Sequence, residues 1–204
     1  MSNQYLMQNS YFYRVDDELR EQHINAEKLF TKYNSLLPTK KKAKKIIKDL
    51  VSSIGENFYI ENGFKCDYGF NISIGENFYA NYNLVILDSC QVCIGDNVLF
   101  GPNVQILTAT HPIDPKIRIK GYEYAQPVTI EDNVWLGAGV IVNPGVTIGK
   151  GSVIGSGSVV TSDIPPGVVA VGNPCIVLYE ISDEHHIQAK NKVREAETLL
   201  SISE

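Results

Sequence analysis

The sequence predicts a mainly β protein: a parallel β-helix of triangular section with an N-terminal helical cap and a helical C-terminal tail. Three observations carry this expectation. The hexamer IGENFY stands at residues 54–59 and again at 74–79, and IGDNVL at 94–99, IEDNVW from 130 and IGKGSV from 148 continue it. Large apolar residues recur every six positions at Ile94, Phe100 and Ile106, then at Ile130, Leu136, Val142, Ile148, Ile154 and Val160. Small or branched residues fill the slots four further on: Val98, Val104, Thr110, Val134, Val140, Val146, Ser152 and Ser158. A period of six fits neither an amphipathic helix nor a simple alternating hairpin. It fits a short strand and a sharp turn, repeated, with one large side chain per flat face pointing inward. Three such faces close a coil of 18 residues, the spacing of Ile130 and Ile148, and coils stack at the inter-strand distance of about 4.8 Å. The rhythm leaves the hand of the coil open.

Residues 1–53 form the expected cap. Helical spacing runs through DDELREQHINAEKLFTKYN and KKAKKIIKDL with Pro38 as a break between them. The pair is expected to cover the open end of the coil, which would otherwise expose strand edges and core. The lysines at 40, 41, 42, 44 and 45 read as a solvated helix face, because a net charge of -5 gives no general attraction for nucleic acid.

Residues 54–181 form the coiled body. Its first repeats are 20 residues apart, which places two extra residues per coil, most simply at corners. Glycines at 95, 101, 137, 149 and 155 follow the large inward residue, with Asn or Gly common two positions later. Both are expected where a corner needs permissive backbone angles. After Pro165-Pro166 the stretch VVAVGNPCIVLYEI reads as extended, and residues 182–204 as a polar helical tail. Cys90 and Cys93 spell CxxC without a second pair, so no metal is expected; alternation sets Cys90 inward and Cys93 outward, and Cys66 and Cys90 read as core. The apolar runs are too short to span a bilayer, and MSNQYLMQNSYFYRVDDELRE lacks the start of a secretion signal. A cytoplasmic protein with reduced cysteines is the expectation.

The metre breaks once. Ile106 and Ile130 lie 24 residues apart, so about 109–127 is expected to leave the coil as a loop. Long loops inside compact repeats usually carry function. This one opens with Thr110-His111-Pro112, and His111 is the sole histidine of the coil region.

The stretches CDYGFNISIGENFYANYNLVILD, IGDNVLFGPNV, TATHPIDP and PVTIEDNVWLGAGVIVNPGVTIGKGSVIGSGSVVTSDIPPGVVAVGNP resemble the maltose and galactoside O-acetyltransferases, a branch of the hexapeptide-repeat acyltransferases. The resemblance runs from about residue 11 to 181. It implies a left-handed coil, a homotrimer with active sites between subunits, acetyl-CoA as donor and a sugar hydroxyl as acceptor. It puts the catalytic histidine at His111, where an imidazole takes the proton as an alcohol attacks the thioester. Acceptor-binding positions fall on Asn81, Asp67, Asp16 and Ser89, and Glu123 is placed to orient His111 or touch the acceptor. Ala138, Ser156, Thr161 and Ser162 fall on donor-lining positions, and the Gly137-Ala138-Gly139 corner is the expected oxyanion donor. Ser162, Ile176 and Tyr179 stand where the family usually carries basic residues. A second reading follows from those three: a non-catalytic β-helix trimer with weakened CoA binding.

Overall fold

The computed structural model describes residues 1–202. Three parallel sheets form the faces of a prism of about six turns. The first face stacks Ser53–Ile54, Ile72–Ile74, Val92–Ile94, Val128–Ile130 and Thr147–Ile148. The second stacks Phe58–Ile60, Phe78–Ala80, Leu99–Phe100, Trp135–Leu136, Val153–Ile154 and Val168–Val171, with Ile176–Glu180 added antiparallel at its end. The third stacks Lys65–Cys66, Val85–Leu87, Gln105–Leu107, Ile141–Val142 and Val159–Val160.

The six-residue series is the core. Ile74, Ile94, Ile130 and Ile148 stand in register on one face, Phe100, Leu136 and Ile154 on the next, and all are 5 % exposed or less. Each such side chain contributes about 1.5–3 kcal/mol by leaving water. Thr110 departs from the series: it is half-buried, and Thr108 takes the interior place instead. The chain has already turned outward at Ala109, and the Thr108 hydroxyl closes the exit by donating to Leu87 O (2.6 Å) and accepting from Cys90 N (2.9 Å).

The extra residues of the early coils all enter at one corner. Inward positions run 54, 60, 66, 74, 80, 86, 94, so the step from the third face to the first is eight residues where the other steps are six. The long excursion after Ile106 leaves at this same corner, and Ile130 still pairs directly with Ile94. It is a loop in outline and a hairpin in detail: Ala109–Thr110 pairs antiparallel with Tyr124–Ala125 around a short helix at Pro115–Arg118.

The two kinds of corner residue do different jobs. Asn77, Asn97 and Asn133 hold the positive φ angles (57–59°), and their amides form a ladder in which Asn57 donates to Asn77, Asn77 to Asn97 and Asn97 to Asn133 at 2.9–3.1 Å. The glycine directly after the large residue answers to crowding rather than to dihedral freedom. A Cβ on Gly101 would lie 2.6 Å from the backbone nitrogen of Ala138 in the next coil. Gly101→Ala is therefore expected to cost about 1–3 kcal/mol, read as a lower urea midpoint at unchanged slope.

The cap consists of α1 (Asn3–Gln8), α2 (Asp17–Asn34) and α3 (Lys41–Leu50). α3 lays Ala43, Ile46, Ile47 and Leu50 on the end of the coil. Tyr33 of α2 donates to the Ile60 carbonyl, and Asn34 binds Phe64 O (2.8 Å) and Gly63 N (3.0 Å), which ties the cap to open strand ends. The lysine face of α3 is solvated, with Lys45 on Asp49 and Lys48 on Glu56. α1 was outside the expected helices; beyond it Tyr13 forms an antiparallel bridge with Glu123 of the excursion. With Pro115–Arg118 numbered α4, the tail is α5 (Asp183–Ile202). Among the described residues no helix is long and apolar enough to cross a membrane.

Candidate active site

The corner that takes the extra residues also holds a cleft of about 450 Å³, lined by Val15, Arg20, His23 and Ile24 from the cap, Asp67, Tyr68 and Ser89 from the coil, and Ala109 and Glu123 from the excursion. Three of the expected acceptor residues, Asp67, Ser89 and Glu123, thus meet at one place although 56 residues separate the first from the last.

The corner is built on Asp88. Its carboxylate is fully buried and accepts from the backbone N–H of Asp67 (3.1 Å), Tyr68 (2.8 Å) and Asn71 (3.3 Å). Burial pushes its pKa up to about 6, against the lowering effect of those N–H donors. Asn71 returns the contact by donating to Asp88 O at 2.6 Å, and Gln8 of α1 donates to Asn71 Oδ1 at 2.7 Å. Asp67 is presented on this frame with a quarter of its side chain exposed, its carboxyl held above the usual carboxylate range by burial and opposed by nearby His23. His23 Nδ1 lies 2.9 Å from Asp67 O and 4.0 Å from its Oδ1.

Glu123 is held from both sides. Its backbone exchanges two hydrogen bonds of 3.0 Å with Tyr13, and the Tyr13 hydroxyl donates to its carboxylate at 3.0 Å. Burial raises the Tyr13 pKa, so that donor keeps its proton throughout the physiological range. Asp16, expected at the acceptor, has a local role in the cap. It caps α2, accepting from Leu19 N (3.0 Å) and Asn3 Nδ2 (2.8 Å), and these bonds hold its carboxyl below the usual range. A carboxylate occupied in this way sits beside Val15 at the rim without lining the cleft.

His111 follows the last strand residue before the cleft, Thr110, and is exposed, with no hydrogen bond to its ring among the described residues. Thr161 and Ser162 lie exposed at the same corner, where the chain leaves the third face for the first. Asn81, Ala138 and Ser156 lie elsewhere, on the corner between the second and third faces. One chain therefore divides the expected residues between two edges of the prism. At the Asn81 edge, Asn81 Oδ1 accepts from Tyr82 N (2.7 Å). The Gly137-Ala138-Gly139 corner does not offer a spare oxyanion donor within the chain: Gly137 N donates to Ile154 O and Gly139 N to Pro102 O at 2.8 Å, and Ala138 N to the Ser156 hydroxyl at 3.1 Å. Ile176 and Tyr179 are exposed on the terminal strand.

Asp88, Tyr13 and His23 were not singled out by sequence reasoning. Asp88 had a readable signal, a carboxylate next to Ser89 just after an inward Ile86; Tyr13 lies outside any periodic element, and the helical spacing that contains His23 does nothing to mark it.

A coil of this kind with a histidine-bearing excursion at its cleft defines the class: residues 127–162 match the bacterial transferase hexapeptide family (six repeats). The galactoside O-acetyltransferase of Lactococcus lactis subsp. lactis (strain IL1403) is 46 % identical over 174 residues, 84 % of this chain and 84 % of that protein. The structure of a maltose O-acetyltransferase from Clostridium difficile 630 superposes with a TM-score of 0.87 at 47 % identity, over 89 % of this chain and 98 % of the other. A galactoside acetyltransferase in complex with coenzyme A gives 0.85 at 41 % identity, over 90 % and 93 %. The chain belongs to the maltose and galactoside O-acetyltransferase family.

Proposed function

We propose that the protein transfers the acetyl group of acetyl-CoA to a hydroxyl of a small sugar, a galactoside, maltose or a glucose-like acceptor, with His111 as general base. The convergence of Asp67, Ser89 and Glu123 in one cleft at the root of the His111 hairpin carries this reading. The imidazole removes the hydroxyl proton as the oxygen attacks the thioester carbonyl. The tetrahedral adduct then collapses, the C–S bond breaks, and the departing CoA sulfur takes the proton back from the imidazolium. Asp67 and Glu123 hold acceptor hydroxyls, and Ser89 adds a third polar contact.

The site is completed in a homotrimer. His111, Thr161 and Ser162 occupy one edge and Asn81, Ala138 and Ser156 another, so a head-to-tail ring brings the two sets together between subunits. The outward residues of the second face support the packing: Tyr79, Leu99, Trp135 and Val153 stand in register, with Leu99 46 % and Trp135 52 % exposed in the single chain. The first face turns Ser73, Cys93, Thr129 and Thr147 outward, the composition of a solvent surface. In that ring Ala138 and Ser156 line the pantetheine arm together with Thr161 and Ser162, and the CoA phosphates meet fewer basic side chains than the family usually supplies.

The test is acetyl-CoA-dependent thiol release against galactosides, maltose and glucose. Acceptor-dependent release is expected, with Asp67→Ala raising the acceptor KM about tenfold, the loss of one hydrogen bond to a charged group, and leaving the acetyl-CoA KM unchanged. No release at millimolar acetyl-CoA would overturn the catalytic reading in favour of the non-catalytic trimer.

A further inference from the structure

We infer that α5 is an assembly helix that pairs in parallel with the same helix of the neighbouring subunits; this rests on the trimer of the proposed reading. Every side chain of α5 from Asp183 to Ser201 is exposed, including Ile187 and Val193 at 56 % and Leu199 at 65 %. A lone helix of 20 residues with this composition is marginal in water. It needs a partner, and its own spacing specifies one. Ala189, Val193, Ala196 and Leu200 follow one another at steps of four, three and four, the seam of a coiled coil. The face away from that seam carries Gln188, Asn191, Arg194, Glu195 and Thr198 beside Ile187, a mainly polar composition that does not suit an apolar groove on another protein.

Charge points to the same occupant. With Val193 and Leu200 at the first heptad position, Lys192 flanks the seam on one side and Glu197 on the other, five residues later. In a parallel pair these positions face each other across the seam, so Lys192 of one copy meets Glu197 of the next. In a ring of subunits related by rotation, C-terminal helices that run along the axis are parallel to one another, the orientation that this pairing requires. Two heptads with alanine at alternate seam positions would not associate strongly if free. Tethered to an assembled body they act at an effective concentration in the millimolar range, which lets a weak seam close.

The experiment uses the full chain. Light scattering first fixes the mass, and a monomer would overturn the trimer and this inference together. In the trimer, Val193→Cys is expected to form subunit-to-subunit disulfides under mild oxidation at least about tenfold faster than Arg194→Cys, which points away from the seam, with the unaltered chain as control for its own four cysteines. Lys192→Glu in the Val193→Cys background is expected to slow cross-linking several-fold, and adding Glu197→Lys to restore it. A trimer in which the two cysteine variants cross-link equally or not at all, or in which the charge exchange restores nothing, overturns the helix pairing and leaves the acetyltransferase reading intact.

Discussion

His111→Ala is expected to lower kcat for acetyl transfer by about 10²–10⁴-fold, the usual worth of a positioned general base, with the melting temperature unchanged within a degree or two. Both halves follow from the same observation. The ring is exposed and makes no hydrogen bond among the described residues, so its removal leaves no cavity and no orphaned donor. What is lost is proton removal from an alcohol that is a poor nucleophile while protonated. His111→Gln separates the two roles, since it keeps polarity and approximate size without the base. Equal rate losses in both variants at full stability are expected. A fall of several degrees in melting temperature for His111→Ala would instead identify a structural histidine and sink the assignment.

Asp88→Ala is expected to cost about 3–5 kcal/mol of stability. Three backbone N–H groups at 2.8–3.3 Å lose their acceptor, those of Tyr68 and Asn71 in buried surroundings and that of Asp67 in a part-buried one, and an unmet buried donor costs about 1–3 kcal/mol. Activity falls with it, because Asp67 and Tyr68 hang on those bonds. Asp88→Asn keeps one acceptor oxygen and is expected to be milder. It also removes a titration. Burial raises the folded-state pKa of Asp88 to about 6, above its unfolded value, so ionisation opposes folding. The stability belonging to the protonated form is complete below the unfolded value and is lost as pH rises through about 6. Relative to Asp88→Asn, the unaltered chain is expected to lose about 2 kcal/mol between pH 4 and pH 7, since each pKa unit is worth about 1.4 kcal/mol and the unfolded group is already partly ionised at pH 4. Urea unfolding of both proteins at the two pH values measures this, and a pH-independent difference would show that Asp88 does not titrate in that window.

The coil was legible because its signal is repeated: a six-residue period written nine times survives local exceptions such as Thr110. The excursion was legible as a gap in that period. Its internal hairpin was not, since Ala109–Thr110 and Tyr124–Ala125 are two residues each, too short for an alternation to be read. Of the acceptor positions implied by resemblance, Asp67, Ser89 and Glu123 converge in space, and Asp16 caps α2 next to the lining residue Val15. The support of the site was the least visible part. Tyr13 reaches Glu123 across 110 residues, and Asp88 acts through backbone donors whose identity is independent of their side chains.

The corner that admits extra residues has a consequence for how such a protein can change. Both the two-residue additions and the long excursion enter where the third face hands over to the first, and Ile94 still stacks on Ile130 as though nothing intervened. Length at that edge is uncoupled from register everywhere else. A flexible loop there costs only about 0.6 kcal/mol more for each doubling of its length, whereas one residue added within a face would turn its inward row outward. The regular turn at residues 143–146, which makes the same crossing without additions, is thus a vacant insertion point: a segment grafted there would extend the wall of the cleft while the prism beneath kept its pitch.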